Sequence, residues 1–215
     1  MFMAVTASEP ERKRRKIRPR SERRQQLIDA TIRCIAHYGL SSTTMQTVTR
    51  EAGLSLGTAN LHFDSKENLL NETLLFVTNE YNEGLLAIMN SEGIASLAGR
   101  LSLLLDFQLG PSVTQRHKMA VWFAYYGEAG ARPVYQKICS RRDRAAAQRF
   151  EALFDSIIAD GGYENVDAKQ LAIGYLSLID GLWLALLIGP KDLSKAGARA
   201  VAQAFLHQAF PRHMA

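Results

Sequence analysis

The sequence predicts an all-α fold: a small N-terminal head of three helices followed by a larger helical body. Three observations carry this. Apolar residues recur at helical spacing through most of the 215 positions. Glycine and Gly-Pro or Gly-Gly pairs fall between those runs, at Gly110-Pro111, Gly161-Gly162 and Gly189-Pro190. No stretch alternates apolar and polar residues as a half-buried strand would. With 47% hydrophobic residues and only six prolines, the chain has the composition of a packed protein rather than a disordered one.

Taken in order, Ser21 is a candidate cap for a first helix, with Glu22 in its first turn. Its apolar face is Leu27, Ile28, Ile32, Ile35 and Ala36, and Gly39 stops it. Ser42, Thr43 and Thr44 offer a cap to a short second helix striped by Met45, Val48 and Ala52. Gly53 ends that helix, and Ser55 caps a third through about Leu61. Two short helices joined by a glycine-containing turn of three or four residues are the helix-turn-helix signature. Asp64 or Ser65 then starts a long helix carrying Leu69, Leu70, Leu74, Val77, Tyr81, Leu85 and Ile88. Further helices are expected over about 95–109, 113–128, 132–160, 166–188 and 193–209.

Charge is unevenly placed. Residues 1–24 hold nine Lys/Arg against three Glu, residues 25–70 hold three against four, and residues 71–215 hold fourteen of each. The whole excess of +5 therefore sits in an N-terminal arm, which reads as disordered on its own and suited to polyanions. Cys34 and Cys139 have no partner at metal spacing and read as buried thiols in a reducing cytosol. The longest apolar run, Leu176–Ile188, is broken by Asp180 and Gly181, so no transmembrane span is expected and a cytoplasmic location is. None of the five histidines lies in an H-E-x-x-H spacing, and no nucleophile elbow or phosphate loop occurs, so neither an enzyme, a metal nor a cofactor is expected. A membrane-surface protein recruited by its arm is the remaining different class, and it would not need the capped helix-turn-helix.

Residues 23–70 resemble the TetR/AcrR family of repressors. The matching segments are Thr44-Met45-Gln46-Thr47-Val48-Thr49-Arg50-Glu51-Ala52-Gly53, Leu54-Ser55-Leu56-Gly57-Thr58 and Phe63-Asp64-Ser65-Lys66-Glu67-Asn68-Leu69-Leu70. Where that family usually carries tyrosine before the Phe, this chain has Asn60-Leu61-His62. In the body, Leu178-Ile179-Asp180-Gly181-Leu182-Trp183-Leu184 and Trp122-Phe123-Ala124 are similar to the C-terminal domain of BetI-type repressors, whose best-known members answer to choline. The resemblance implies a ligand-responsive repressor acting as a homodimer on a palindromic duplex operator. Its parts would be a basic arm (1–20), a helix-turn-helix DNA-binding domain (21–67) and a helical domain for effector binding and dimerisation (68–215).

Site expectations follow from these parts. Helix N-termini gather unpaired N–H groups and suit phosphates, so Thr44, Ser55, His62 and Lys66 are expected on the DNA backbone. Gln46, Gly57, Thr58 and Asn60 are expected at base edges, with Asn60 matched to adenine. Arg12, Lys13, Arg14, Arg15, Lys16, Arg18 and Arg20 form the arm and reach a minor groove by analogy with homeodomains. Trp122, Phe123, Tyr125, Tyr126 and Trp183 are either core packing or an aromatic pocket for a quaternary ammonium, with Glu128 or Asp180 as counter-charge. An unrelated hydrophobic or amphipathic effector is the alternative. A second copy is expected against Leu171, Tyr175, Leu178, Leu182, Leu186, Val201 and Phe205.

Deleting residues 1–20 removes seven Lys/Arg. If these meet phosphates, the slope of log K against log salt on duplex DNA becomes shallower by about 0.9 per lost contact. An unchanged slope in a salt titration would assign the arm to solubility alone.

Overall fold

The computed structural model describes residues 19–94 and 96–214. Among them are nine helices and no strand: α1 (Arg20–Tyr38), α2 (Met45–Ala52), α3 (Leu56–Asn60), α4 (Lys66–Met89), α5 (Leu97–Gln108), α6 (Arg116–Glu128), α7 (Pro133–Gly161), α8 (Ala168–Ile188) and α9 (Lys195–Ala209). The expected all-α fold is therefore present. The arm residues Arg12, Lys13, Arg14, Arg15, Lys16 and Arg18 lie outside the described residues.

Each helix of the head starts where local chemistry allows. Pro19, not Ser21, stands at the N-cap of α1, without a side-chain cap. Proline's fixed φ suits a helix entrance, so the helix begins one residue before the expected cap. Thr44 caps α2 in a reciprocal box: its hydroxyl accepts from the Thr47 amide at 3.1 Å, and Thr47 Oγ1 accepts from the Thr44 amide at 2.8 Å. Gly53 then takes a left-handed φ of 64°, which a side chain resists, and turns the chain into α3. The Ser55 and Ser65 hydroxyls accept from the amides of Thr58 (3.1 Å) and Asn68 (3.0 Å).

The head closes on one core of Leu27, Ile28, Ile35, Val48, Ala59 and Phe63, all nearly inaccessible to solvent. Arg24 lies over the Phe63 ring and pairs with Glu72 at 2.6 Å, joining α1 to α4. Because α1 also packs on α6, head and body share a continuous hydrophobic core.

Helix α4 runs from the head through the body and is held along its length. Tyr125 donates to the Leu70 carbonyl at 2.6 Å, and Lys118 pairs with Glu80 at 2.7 Å. At the far end the Arg100 guanidinium donates to the carbonyls of Ile88 (3.0 Å), Met89, Ser91 and Ile94, satisfying groups a helix C-terminus leaves open.

The body carries one buried polar hub. Gln108 is fully buried. It donates to Tyr81 Oη (2.8 Å), accepts from Tyr175 Oη (2.6 Å), and offers its backbone carbonyl to Trp183 Nε1 (2.8 Å). Helices α4, α5 and α8 are thus fixed to one side chain, with the hydroxyls of both tyrosines held neutral by burial.

Helix α8 bears on two expectations and corrects the second. Its most apolar 18-residue window reaches a mean hydropathy of 2.0, so by length and composition it is able to cross a membrane despite Asp180 and Gly181. In the fold it packs against α6, α7 and α9. Because the helix is apolar on every side, its sequence did not distinguish the outward face. Tyr175, Leu182 and Leu186, expected to meet a second copy, are buried within this chain. Leu171, Leu178 and Phe205 are half-buried and Val201 is exposed. The outward apolar surface is instead Ile173, Leu184 and Ile188 of α8 with Val201 of α9.

Gln108→Ala should destabilise the fold by about 2–4 kcal/mol, because it opens a cavity and strips two buried tyrosine hydroxyls of their partner. Urea unfolding should show a lowered midpoint with an unchanged slope. A midpoint within error of the parent would remove Gln108 from its place as hub.

Candidate nucleic-acid interface and effector cavity

The helix-turn-helix presents a compact polar surface. Gln46, Gly57 and Asn60 are exposed and Thr58 is half-buried. The Thr58 hydroxyl lies 2.9 Å from Ser55 Oγ, so that hydroxyl pair is engaged inside the motif. Leu61, the cap residue after α3, is 74% exposed beside the polar residues of the motif. Sequence reasoning passed over it because it searched that segment for polar groups.

Thr44 and Ser55 are exposed at the starts of α2 and α3, their oxygens already accepting the capping bonds. The Thr44 hydroxyl in turn donates to Thr47 Oγ1 at 3.2 Å, and that of Ser55 is paired with Thr58 Oγ1, so a phosphate would have to compete with these bonds. Lys66, at the start of α4, directs Nζ to the Ser41 carbonyl at 3.2 Å, spanning the beginning of α4 and the loop before α2. His62 is half-buried, and its pKa is lowered by desolvation and by Arg20 and Arg24, which favours the neutral ring. A neutral imidazole still donates one N–H. Arg20 donates to the Leu61 carbonyl at 3.2 Å, which holds the root of the arm against the end of α3.

Of the aromatic residues expected to line a pocket, only some come together. Trp122 and Tyr126 face the guanidinium of Arg142, whose carbon lies 4.3 Å from the Trp122 ring centre and 5.4 Å from that of Tyr126. Tyr81 completes this box at 6.0 Å. The box thus already contains a cation, supplied by the chain, and Arg142 also donates to Tyr126 Oη and pairs with Asp143.

The other expected members lie elsewhere. Tyr125 is completely buried against Tyr135, so it is core and not a pocket wall. Glu128 pairs with Arg132 at 3.2 Å, which takes it away from any pocket counter-charge role. Phe123 packs edge-on to Tyr126 and lines none of the described cavities that Trp183 lines.

Beside the box lies a cavity of about 340 Å³ between α4, α7 and α8. Its wall includes Tyr81, Arg142, Ile173, Leu176, Asp180 and Trp183. Asp180 faces this space with its pKa pushed up to about 6, chiefly by burial, with Arg142 opposing and Asp143 adding to the shift. Tyr81 and Arg142 were not singled out from the sequence. Tyr81 was legible only as one member of the apolar stripe of α4, and Arg142 only as one cation in a charged helix.

Comparison with known proteins adds the following. The family of bacterial regulatory proteins of the tetR type matches residues 27–73. The BetI-type transcriptional repressor C-terminal family matches residues 97–211, just over half of the chain. The HTH-type transcriptional regulator BetI of Escherichia coli strain UMN026 is 27% identical over 201 residues, covering 91% of this chain and 98% of the relative. A transcriptional regulator of Saccharomonospora viridis, solved in complex with choline, superposes with a TM-score of 0.77 at 25% identity, over 87% of this chain and 96% of that one. A transcriptional regulator of Pseudomonas aeruginosa PAO1 shares the fold with a TM-score of 0.78 at 22% identity, over 93% and 95% of the two chains.

Proposed function

The chain belongs to the TetR family of DNA-binding transcriptional regulators and carries a BetI-type repressor C-terminal domain; on that premise we propose that it is a cytoplasmic repressor that binds a palindromic operator as a homodimer and leaves it when a small molecule fills the cavity between α4, α7 and α8. The observation that carries this reading is the span of α4. The same helix that begins at Lys66, beside the helix-turn-helix, supplies Tyr81 to the cavity wall. At 1.5 Å per residue these two positions are roughly 22 Å apart along one rod.

In this reading Thr44, Ser55, His62 and Lys66 hold phosphates, and the arm adds Arg20 and the cations before it. Gln46, Gly57, Thr58 and Asn60 meet base edges, with exposed Leu61 against a thymine methyl or sugar. The second copy docks on the outward apolar surface of Ile173, Leu184, Ile188 and Val201. A tilt of α4 within each subunit then changes the spacing of the two heads. Half-site spacing is fixed by the pitch of DNA, so a few ångströms is enough to misalign one head.

A quaternary ammonium such as choline is the favoured effector class. Two observations support it: the similar regulator of Saccharomonospora viridis was solved with choline, and this cavity joins the Trp183 and Tyr81 rings to the carboxyl of Asp180. Since Arg142 fills the box of Trp122 and Tyr126, the incoming cation would occupy the space between Trp183, Tyr81 and Asp180.

Two experiments test the reading. Asn60→Ala should relax base preference at one position per half-site, at a cost of roughly 1–3 kcal/mol on the preferred sequence, whereas Lys66→Ala should weaken all sequences alike. Equal losses for Asn60→Ala on specific and random duplexes would misplace the recognition face. For the effector, a bound cation favours ionised Asp180, so binding is coupled to loss of its proton. Choline affinity should be steady above the folded pKa of about 6 and fall by up to about tenfold per pH unit below it. Asp180→Asn should be weak at every pH and lose that dependence. A choline isotherm in which parent and Asp180→Asn have the same pH profile, or no operator release beyond a sodium chloride control, would send the effector assignment elsewhere.

A further inference from the structure

On the side of Arg142 away from the proposed effector, a second cavity of about 450 Å³ lies between α4 and α7. Its lining is strongly basic: Lys137, Arg141, Arg142 and Arg149 from α7 face Asn79 and Asn82 from α4, and no carboxylate lines it. Lys137, Arg141 and Arg149 enter none of the ion pairs among the described residues.

Two of these cations are incompletely satisfied where water does not reach. Arg142 is only 6% exposed, and its Nη1 is buried with no hydrogen-bond partner, although Nε and Nη2 are engaged by Asp143 and Tyr126. The Nη1 of half-buried Arg149 is likewise buried and unpartnered. A buried donor on a charged group without an acceptor is costly, and four like charges around one cavity repel each other. Arg142 is held in place by its packing on the Trp122 and Tyr126 rings, whereas Lys137, Arg141 and Arg149 line the cavity with no carboxylate beside them. An anion with several oxygens offsets the repulsion and supplies acceptors: guanidinium forks match phosphate and carboxylate oxygens in two-pronged bonds, and the Asn79 and Asn82 amide NH2 groups add neutral donors, while Asn82 Oδ1, itself buried without a partner, is an acceptor the anion does not satisfy.

We propose that this α4–α7 cavity is a binding site for a small polyanion carrying phosphate or multiple carboxylate groups, separate from the cavity of Asp180 and Trp183. Its volume suits a small metabolite. Arg142 lines both cavities, with its cation-π face toward Trp122 and its buried Nη1 without a partner, so the anion's direct contacts fall to Lys137, Arg141 and Arg149 and a small shift of Arg142 would add its own. An anion bound there ties α7 to α4, the helix that begins beside the helix-turn-helix. The site is independent of whether choline is the effector.

The two tryptophans of the chain, Trp122 beneath Arg142 and Trp183, are natural reporters. The full-length protein is titrated with inorganic pyrophosphate and separately with citrate, at constant ionic strength, with sodium chloride and choline chloride as controls. A saturable change in tryptophan emission with pyrophosphate, citrate or both, absent with sodium chloride, is expected, and the more effective probe tells phosphate from carboxylate. Arg149→Gln should weaken binding about tenfold or more, the range of a lost hydrogen bond to a charged group. Arg141→Gln, at an exposed position that leaves the fold intact by far-UV circular dichroism, should weaken it about threefold or more. No saturable emission change with either anion, or a response that Arg141→Gln and Arg149→Gln both leave unaltered, overturns the site and returns anion binding to the N-terminal arm. Failure of choline to release the operator does not bear on this result, and operator binding by the same variants reports the family function separately.

Discussion

Helix α4 is one uninterrupted hydrogen-bonded rod, and the rest of the molecule depends on it. Ser65 caps its first turn, Arg100 collects the carbonyls at its last, and Tyr125 and Lys118 fasten its middle to α6. Such a rod does not absorb a disturbance locally. In the proposed mechanism a displacement at Tyr81 is carried to Lys66 as a tilt or a slide, since a sharp kink in a helix without proline or a bulge breaks backbone hydrogen bonds. Head and body are joined through this helix and share one hydrophobic core.

Around that rod the body arranges its polar groups in two different ways. At Gln108 every polar atom that matters is satisfied, and three helices are locked in register. At Arg142 satisfaction is partial. One face of the guanidinium is covered by aromatic rings and one nitrogen is left without an acceptor. A fully bonded hub gives a single arrangement, while an incompletely bonded cation beside two cavities gives a place where ligands are able to shift the balance. Both sit within reach of Tyr81, which accepts from Gln108 and lies beside the Arg142 box.

The helical fold and the helix-turn-helix were legible because their signals are local. Thr44, Gly53, Ser55 and Ser65 each act on amides or dihedrals within three or four residues, and glycine and proline pairs marked the later turns. The cavity was legible only in part. Trp183 and Asp180 stood out as a ring and a charge in an apolar helix, but the choice between core and pocket for Tyr125 stayed open, because its core environment comes from Tyr135 and Leu70, distant in sequence. Arg142 was invisible for the same reason: its burial depends on rings from α4 and α6. The outward face of α8 was hidden differently, since a helix apolar all round carries no periodicity to say which stripe faces out.

The central claim is that occupation of the body cavity moves the heads relative to each other through α4. The most direct measurement is the distance between spin labels on Ser42→Cys in the two subunits of the proposed dimer. Ser42 is exposed, while Cys34 and Cys139 are buried, so labelling is selective. The account predicts a distance distribution that narrows around one value on operator DNA and shifts by a few ångströms when choline, or the small molecule that releases the operator, is added to saturation. Superimposable distributions with and without that molecule, under conditions where the operator is released, would contradict it.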